Sequence, residues 1–173
     1  IHQAPYPSMH DDFDYGVYDD SYNHDKWTAL ISNSDGKIYQ QDDRLVLIQS
    51  GLNEGQHLAV NDFVFLPTKV VSIQADLMMD AIDKNASIEL HTLTTKRRFI
   101  CELQIALKQC FFESYSSNLA TSINSGFAQM GRPYTFYIEI DPHAKSALFF
   151  IDGDQVGSIV LAADEQLTGV MIG

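Results

Sequence analysis

Two carboxylates, Glu89 and Glu102, stand on neighbouring runs whose apolar residues alternate. Ile88, Leu90 and Thr92 share one side of the run 86–94, and Phe99, Cys101, Leu103 and Ile105 share one side of the run 97–105. Strict alternation of this kind marks half-buried strands. With Thr95-Lys96 as a two-residue turn, Ile88 faces Leu103, Leu90 faces Cys101 and Thr92 faces Phe99. The opposite face then sets Glu89 against Glu102 and His91 against Ile100. Two carboxyl groups held across a sheet are what glycoside hydrolysis requires, one as acid and one as nucleophile or base. Opposed like charges also destabilise a sheet unless a cation, a shared proton or a guanidinium such as that of Arg98 compensates. The competing reading is a solvated outer face on which both groups point to water.

The same alternation exposes a wider polar set: Gln74, Asp76, Glu89, His91, Glu102, Gln104, Tyr137 and Glu139. Saccharides need planar donors and acceptors beside an aromatic face, and this set supplies amides, carboxylates and the Tyr137 ring. Any half-exposed strand shows alternating polar residues, so an ordinary surface is the alternative. Trp27, the single tryptophan, reads as core rather than as a stacking platform. Asp11, Asp12, Asp14, Asp19, Asp20 and Asp25 cluster near the start of the chain. Oxygen ligands suit calcium, but their spacing is not that of an EF-hand, and a solvated acidic arm accounts for them too. His2, His10, His24, His57, His91 and His143 are scattered, without zinc-ligand spacing. No Gly-x-Ser-x-Gly, phosphate-cradling loop or Cys-x-x-Cys occurs.

The elements that must position these residues are short strands. Residues 1–26 read as an extended arm, with Asp12-Phe13-Asp14 as a short edge strand, and residues 27–173 as one β-sandwich domain. Ile38–Gln40 and Arg44–Gln49 flank Gln41-Asp42-Asp43 as a hairpin. Val71, Ile73, Ala75 and Leu77 alternate with Ser72, Gln74 and Asp76. Residues 109–115 form another strand and 116–126 a polar loop. Phe136, Ile138 and Ile140 point inward between Tyr137 and Glu139; the turn 141–145 leads to the apolar run 147–151, and Asp152-Gly153-Asp154 turns again into 155–161. Residues 62–66 and 162–167 could each hold one helical turn. Residues 169–173 begin a further strand. Gly and Pro fall at the turns, as strands require. Many short strands without helical periodicity predict an all-β fold, a two-sheet antiparallel β-sandwich.

Composition bounds the function classes. The chain has 173 residues, 45% of them hydrophobic and 20% charged, which suffices for one full core. Eleven basic against 23 acidic residues leave a net charge of -12, which argues against nucleic-acid backbones and against adhesion to anionic membranes by charge. No apolar run approaches bilayer length, so membrane insertion is not expected. Starting at Ile1, the chain reads as one whose leader has been removed or as a domain excised from a longer protein. Cys101 and Cys110 read as buried thiols, with a bridge as the alternative.

Three features resemble the concanavalin A-like lectin and glucanase superfamily, in particular its laminin-G-like and laminarinase-like jelly rolls. They are Asp11-Asp12-Phe13 followed by Trp27; Gly36-Lys37-Ile38 running into Asp43-Arg44-Leu45-Val46-Leu47; and Tyr134–Asp141 followed by Ala147-Leu148-Phe149-Phe150-Ile151-Asp152-Gly153. The resemblance implies a curved jelly roll whose concave sheet face often binds carbohydrate. It also implies a structural calcium between an N-terminal segment and a late strand, with Asp12 and Asp141 as partners and no cofactor required for binding. Laminarinase-like enzymes carry Glu-x-Asp-x-x-Glu on one strand. Here Glu139-Ile140-Asp141-Pro142-His143 lacks the second Glu, and Pro142 breaks the strand, which counts against glucanase activity. The expected function is a non-catalytic carbohydrate-binding or adhesion-type module of a secreted or surface protein, lectin-like, with carbohydrate or glycoprotein as partner beside flanking domains of the same protein. The alternatives are a glycoside hydrolase using Glu89 and Glu102, and a structural or protein-binding sandwich.

Overall fold

In a computed structural model, the described residues are 28–31, 37–40, 45–48, 56–60, 70–81, 85–92, 98–104, 109–116, 119–125, 128–141, 143–161 and 167–172. They form thirteen strands and no helix: β1 (Thr28–Ile31), β2 (Lys37–Gln40), β3 (Leu45–Ile48), β4 (Gln56–Val60), β5 (Val71–Leu77), β6 (Asn85–Thr92), β7 (Arg98–Gln104), β8 (Gln109–Ser116), β9 (Leu119–Ser125), β10 (Tyr134–Asp141), β11 (Ser146–Ile151), β12 (Asp154–Val160) and β13 (Leu167–Ile172). The chain divides into two compact units, 1–57 and 58–173. In the first, β2 and β3 form the expected hairpin, antiparallel from Lys37↔Ile48 to Gln40↔Leu45. The expected arm, Trp27 and the helical turn at 62–66 lie outside the described residues, as does the turn expected at 162–167 except for Leu167, which begins β13.

The second unit is a sandwich. One sheet has the order β12-β11-β10-β5; the other contains β4-β13-β6-β7-β8-β9. All pairings in both are antiparallel. The core lies between them. Val71 and Leu77, Phe136, Ile138 and Ile140, Ala147 and Phe149, and Ile159 come from the smaller sheet. Ile88, Leu90, Phe99, Cys101, Leu103 and Cys110 come from the larger one. Facing residues at every second position give each sheet one apolar side, as packed sheets require. Both cysteines are free and buried. Burial in the apolar core pushes the Cys101 thiol well above its ordinary value, with Cys110 adding to it. Burial likewise carries the Cys110 thiol up to about 11.

Two expectations are corrected. The segment 116–126 is not wholly a loop: β9 runs from Leu119 to Ser125 and pairs with β8 from Ser116↔Leu119 to Cys110↔Ser125. Backbone hydrogen bonding to β8 carries a strand that its polar side chains do not announce. The β6–β7 register is also two residues from the expected one. Ile88 pairs with Cys101, Leu90 with Phe99, Glu89 with Ile100, Ser87 with Glu102 and His91 with Arg98. Residues 93–97, which join the two strands, lie outside the described residues. A two-residue slip preserves which side chains face inward but changes every partner.

The β11–β12 connection is the two-residue turn Asp152-Gly153, closed by the Ile151↔Asp154 pair. Both residues have positive φ, 50° and 89°, the signature of the hairpin turn that matches strand twist. A Cβ built on Gly153 would meet nothing within 4 Å. The cost of a side chain there is therefore conformational rather than steric. Gly153→Ala is expected to lower stability by about 1–2 kcal/mol, and Gly153→Asn by less, because Asn tolerates the left-handed region. Urea denaturation of the three proteins checks the order.

Candidate functional site

The eight residues expected on one polar face divide between two. Gln74 and Asp76 lie on β5, Tyr137 and Glu139 on β10, all on the outward face of the four-stranded sheet. Glu89 and His91 lie on β6, Glu102 and Gln104 on β7, at positions that alternate with the inward row of the larger sheet. Alternation reports the parity of a strand but not the sheet it joins, so the single surface expected from the sequence is replaced by two faces on opposite sides of the core.

The face of the four-stranded sheet is built by register. Ser72 pairs with Glu139, Gln74 with Tyr137 and Asp76 with Thr135. On the other side of β10, Tyr137 pairs with Phe150 and Glu139 with Leu148. Tyr137 and Phe150 pack edge-to-face, with ring centroids 5.3 Å apart and planes at 61°. The Tyr137 hydroxyl donates to Glu139 Oε2 at 2.7 Å and accepts from Ser72. The hydroxyl is thus committed within the sheet, and the ring is held in place by its neighbours. Burial, and then the Glu139 carboxylate that takes its proton in a hydrogen bond, raise the Tyr137 phenol above its ordinary value. Thr135 Oγ1 donates to Asp76 Oδ1 at 2.6 Å.

One end of this face is anchored. Asp152 Oδ1 accepts from the Thr135 amide and Oδ2 from Arg132, both at 2.9 Å, while the Asp152 amide donates to the Thr135 carbonyl at 2.8 Å. The Arg132 guanidinium lies 4.4 Å from the centre of the Tyr134 ring. The Tyr134 hydroxyl accepts from the Gln129 amide at 2.9 Å. At the other end Asp141 Oδ1 accepts the amides of His143 and Ala144, at 2.8 and 3.1 Å, so its carboxylate caps the β10–β11 turn.

On the larger sheet the expected Glu89–Glu102 confrontation is absent. Ile100 stands opposite Glu89 and Ser87 opposite Glu102. Glu102 Oε1 accepts from Asn85 Nδ2 at 2.8 Å and from Gln104 Nε2 at 2.5 Å. Glu89 is only 5% exposed and Ile100 4%, so this part of the outward side is covered by the chain itself. The side chain of His91 is outside the described residues.

Calcium takes six to eight oxygen ligands. Among the described residues no group of three or more His, Cys, Asp and Glu could hold a metal ion, and Asp12 lies outside them. The described part of the expected set, Asp141, therefore makes no calcium site by itself.

No family profile matches the chain, and no curated protein matches its sequence. Solved structures do match. A non-specific endo-β-1,3(4)-glucanase of family GH16 aligns with a TM-score of 0.66 at 11% identity, over 94% of this chain and 77% of that one. The catalytic domain of an endo-1,3-β-glucanase (laminarinase) from Thermotoga petrophila RKU-1 aligns at 0.61 and 12%, over 93% and 82%. Carbohydrate-binding module CBM66 from Bacillus subtilis aligns at 0.56 and 10%, over 83% and 86%. The fold is the concanavalin A-like jelly roll.

Within this jelly roll the sequence reading missed Phe150, Ser72 and Thr135. Phe150 had a signal: Phe149 and Phe150 are adjacent in a strand, so one of them must face outward. Ser72 and Thr135 are small polar residues on strands and carry none. The raised Tyr137 value sets a sign for alkaline behaviour. A phenol whose folded value lies above its unfolded one contributes stability that is present below pH about 10 and is lost as pH rises through the folded value. Tyrosinate absorbance titration should show a late-ionising component that disappears in Tyr137→Phe, and Tyr137→Phe should lose less stability than the wild type as pH rises above about 10.

Proposed function

We propose that the chain is a non-catalytic carbohydrate-binding module of a secreted or surface protein, and that it takes a saccharide on the outward face of its four-stranded sheet. The observation that carries this reading is the Tyr137–Phe150 ring pair, bordered in register by Gln74, Glu139 and Asp76. A pyranose presents C–H groups on its faces and hydroxyls around its rim. Two half-buried rings offer a surface for the first, and an exposed amide with two carboxylates offers donors and acceptors for the second. The binding module and the glucanases that share the fold support a carbohydrate-related function. Partners in this reading are a glycan or glycoprotein and flanking domains of the same protein.

The offset of Glu89 from Glu102, the burial of Glu89 and the two amide donors on one Glu102 oxygen weigh against the hydrolase alternative. Hydrolysis needs one carboxyl group to hold a proton and both to flank a glycosidic bond.

A glycan array tests the reading. Binding is expected, with Tyr137→Ala weakening it about ten-fold, equivalent to about 1.4 kcal/mol, and Glu89→Gln leaving it unchanged. Mixed-linkage and β-1,3-glucans incubated with the protein should release no reducing sugar. Turnover abolished by Glu89→Gln or Glu102→Gln would establish the hydrolase instead, and silence on both assays would favour a protein-binding sandwich.

A further inference from the structure

The four strands of the smaller sheet contain Asp76, Glu139, Asp141 and Asp154 and no Lys, Arg or His. Asp76 and Glu139 border the Tyr137–Phe150 rings, one on each side of the Gln74–Tyr137 pair along the strands. Among the described residues, the adjoining turns carry three basic side chains, Arg132 before β10 and His143 and Lys145 in the β10–β11 turn. Arg132 is held by Asp152 in an ion pair at 2.9 Å, and Lys145 lies in the β10–β11 turn, beyond Asp141. The whole chain carries a net charge of -12, so the distant field has the same sign as the local one. Glu139 accepts a hydrogen bond from Tyr137 and Asp76 one from Thr135, which fixes both carboxylates beside the rings.

We infer that this face selects a cationic amino sugar, a chain of glucosamine units with free amines, over neutral glycans and against uronate or sulfated ones. The inference rests on the proposed carbohydrate-binding face and names the class of saccharide it takes. Charge complementarity is its basis: an ammonium group set beside a sugar ring stacked on Tyr137 or Phe150 comes near Asp76 or Glu139. An anionic group in the same place meets the like charge of Asp76 or Glu139. One such contact near a protein surface is worth about three- to ten-fold in affinity.

The test is calorimetric titration with three hexasaccharides, of glucosamine, N-acetylglucosamine and galacturonate. It is run at pH about 5.5, above the ordinary carboxylate range, in about 0.05 M and about 0.5 M salt. The glucosamine hexamer is expected to bind at least about three-fold more tightly than its N-acetylated counterpart, with the preference shrinking in high salt and no detectable uronate binding. Glu139→Gln and Asp76→Asn keep an acceptor oxygen for Tyr137 and Thr135 but remove the charge, so each should erase most of the preference. Gln74→Glu, which adds a charge beside Tyr137, should increase it. Equal affinity for the amine and its N-acetylated form, unchanged by salt and by these variants, would overturn the cationic selectivity while leaving the carbohydrate-binding reading intact. Absence of binding to all three hexamers alongside positive array spots for other neutral glycans would do the same. Absence of any saccharide binding, on the array as well, would overturn both.

Discussion

The structure depends on the burial of one side of β10. Phe136 and Ile138 are wholly buried and Ile140 nearly so, and they pack with Phe149, Phe99 and Leu90 in the core. A strand has a side-chain period of two, so burying this row obliges Thr135, Tyr137 and Glu139 to face outward. A slip of one residue would put a carboxylate and a phenol into the core, at a cost no local hydrogen bond would offset. Because β10 is paired on both sides, the same constraint passes to β5 and β11 and sets Gln74, Asp76 and Phe150 around Tyr137. The candidate binding face is thus a consequence of core packing. Its side-chain hydrogen bonds then fix details such as the direction of the Tyr137 hydroxyl.

The two outward faces are chemically different despite their similar composition in the sequence. On the four-stranded sheet, polar residues flank aromatic rings and remain accessible. On the larger sheet, Ser87, Glu89 and Ile100 are buried. A carboxylate so placed must be satisfied by neighbours, and Glu89 is not without a partner. The turn carboxylates form a third class. Asp141 and Asp152 accept backbone amides at the ends of β10 and β11, at the two ends of the outward face of the four-stranded sheet. Among the described residues the acidic side chains therefore fall into three settings, and net charge alone would not separate them.

Much of the fold was legible because alternation is a local property. The β2–β3 and β10–β11 hairpins, the strands β5 to β8 and the inward rows Ile88–Leu90 and Phe99–Cys101–Leu103 followed from apolar periodicity. The failures have physical causes. In β9 the large apolar residues Leu119 and Ile123 lie four apart among small and polar ones, so no period of two is visible. The β6–β7 pairing depended on a turn position, and a two-residue error there leaves every facing intact while replacing Glu102 with Ile100 opposite Glu89. Sheet membership depends on pairings between strands distant in sequence, such as β5 with β10, and alternation within one strand carries no record of them. That is why eight residues expected together form two groups of four.

The claim that the outward face of the four-stranded sheet is the binding face is tested most directly by NMR. Isotope-labelled protein would be titrated with the saccharide that binds it best, and the perturbed amides mapped. The account predicts shifts concentrated at Gln74, Asp76, Tyr137, Glu139 and Phe150. Shifts concentrated at Ser87, Glu89, Ile100 and Glu102 would contradict it and move the site to the larger sheet.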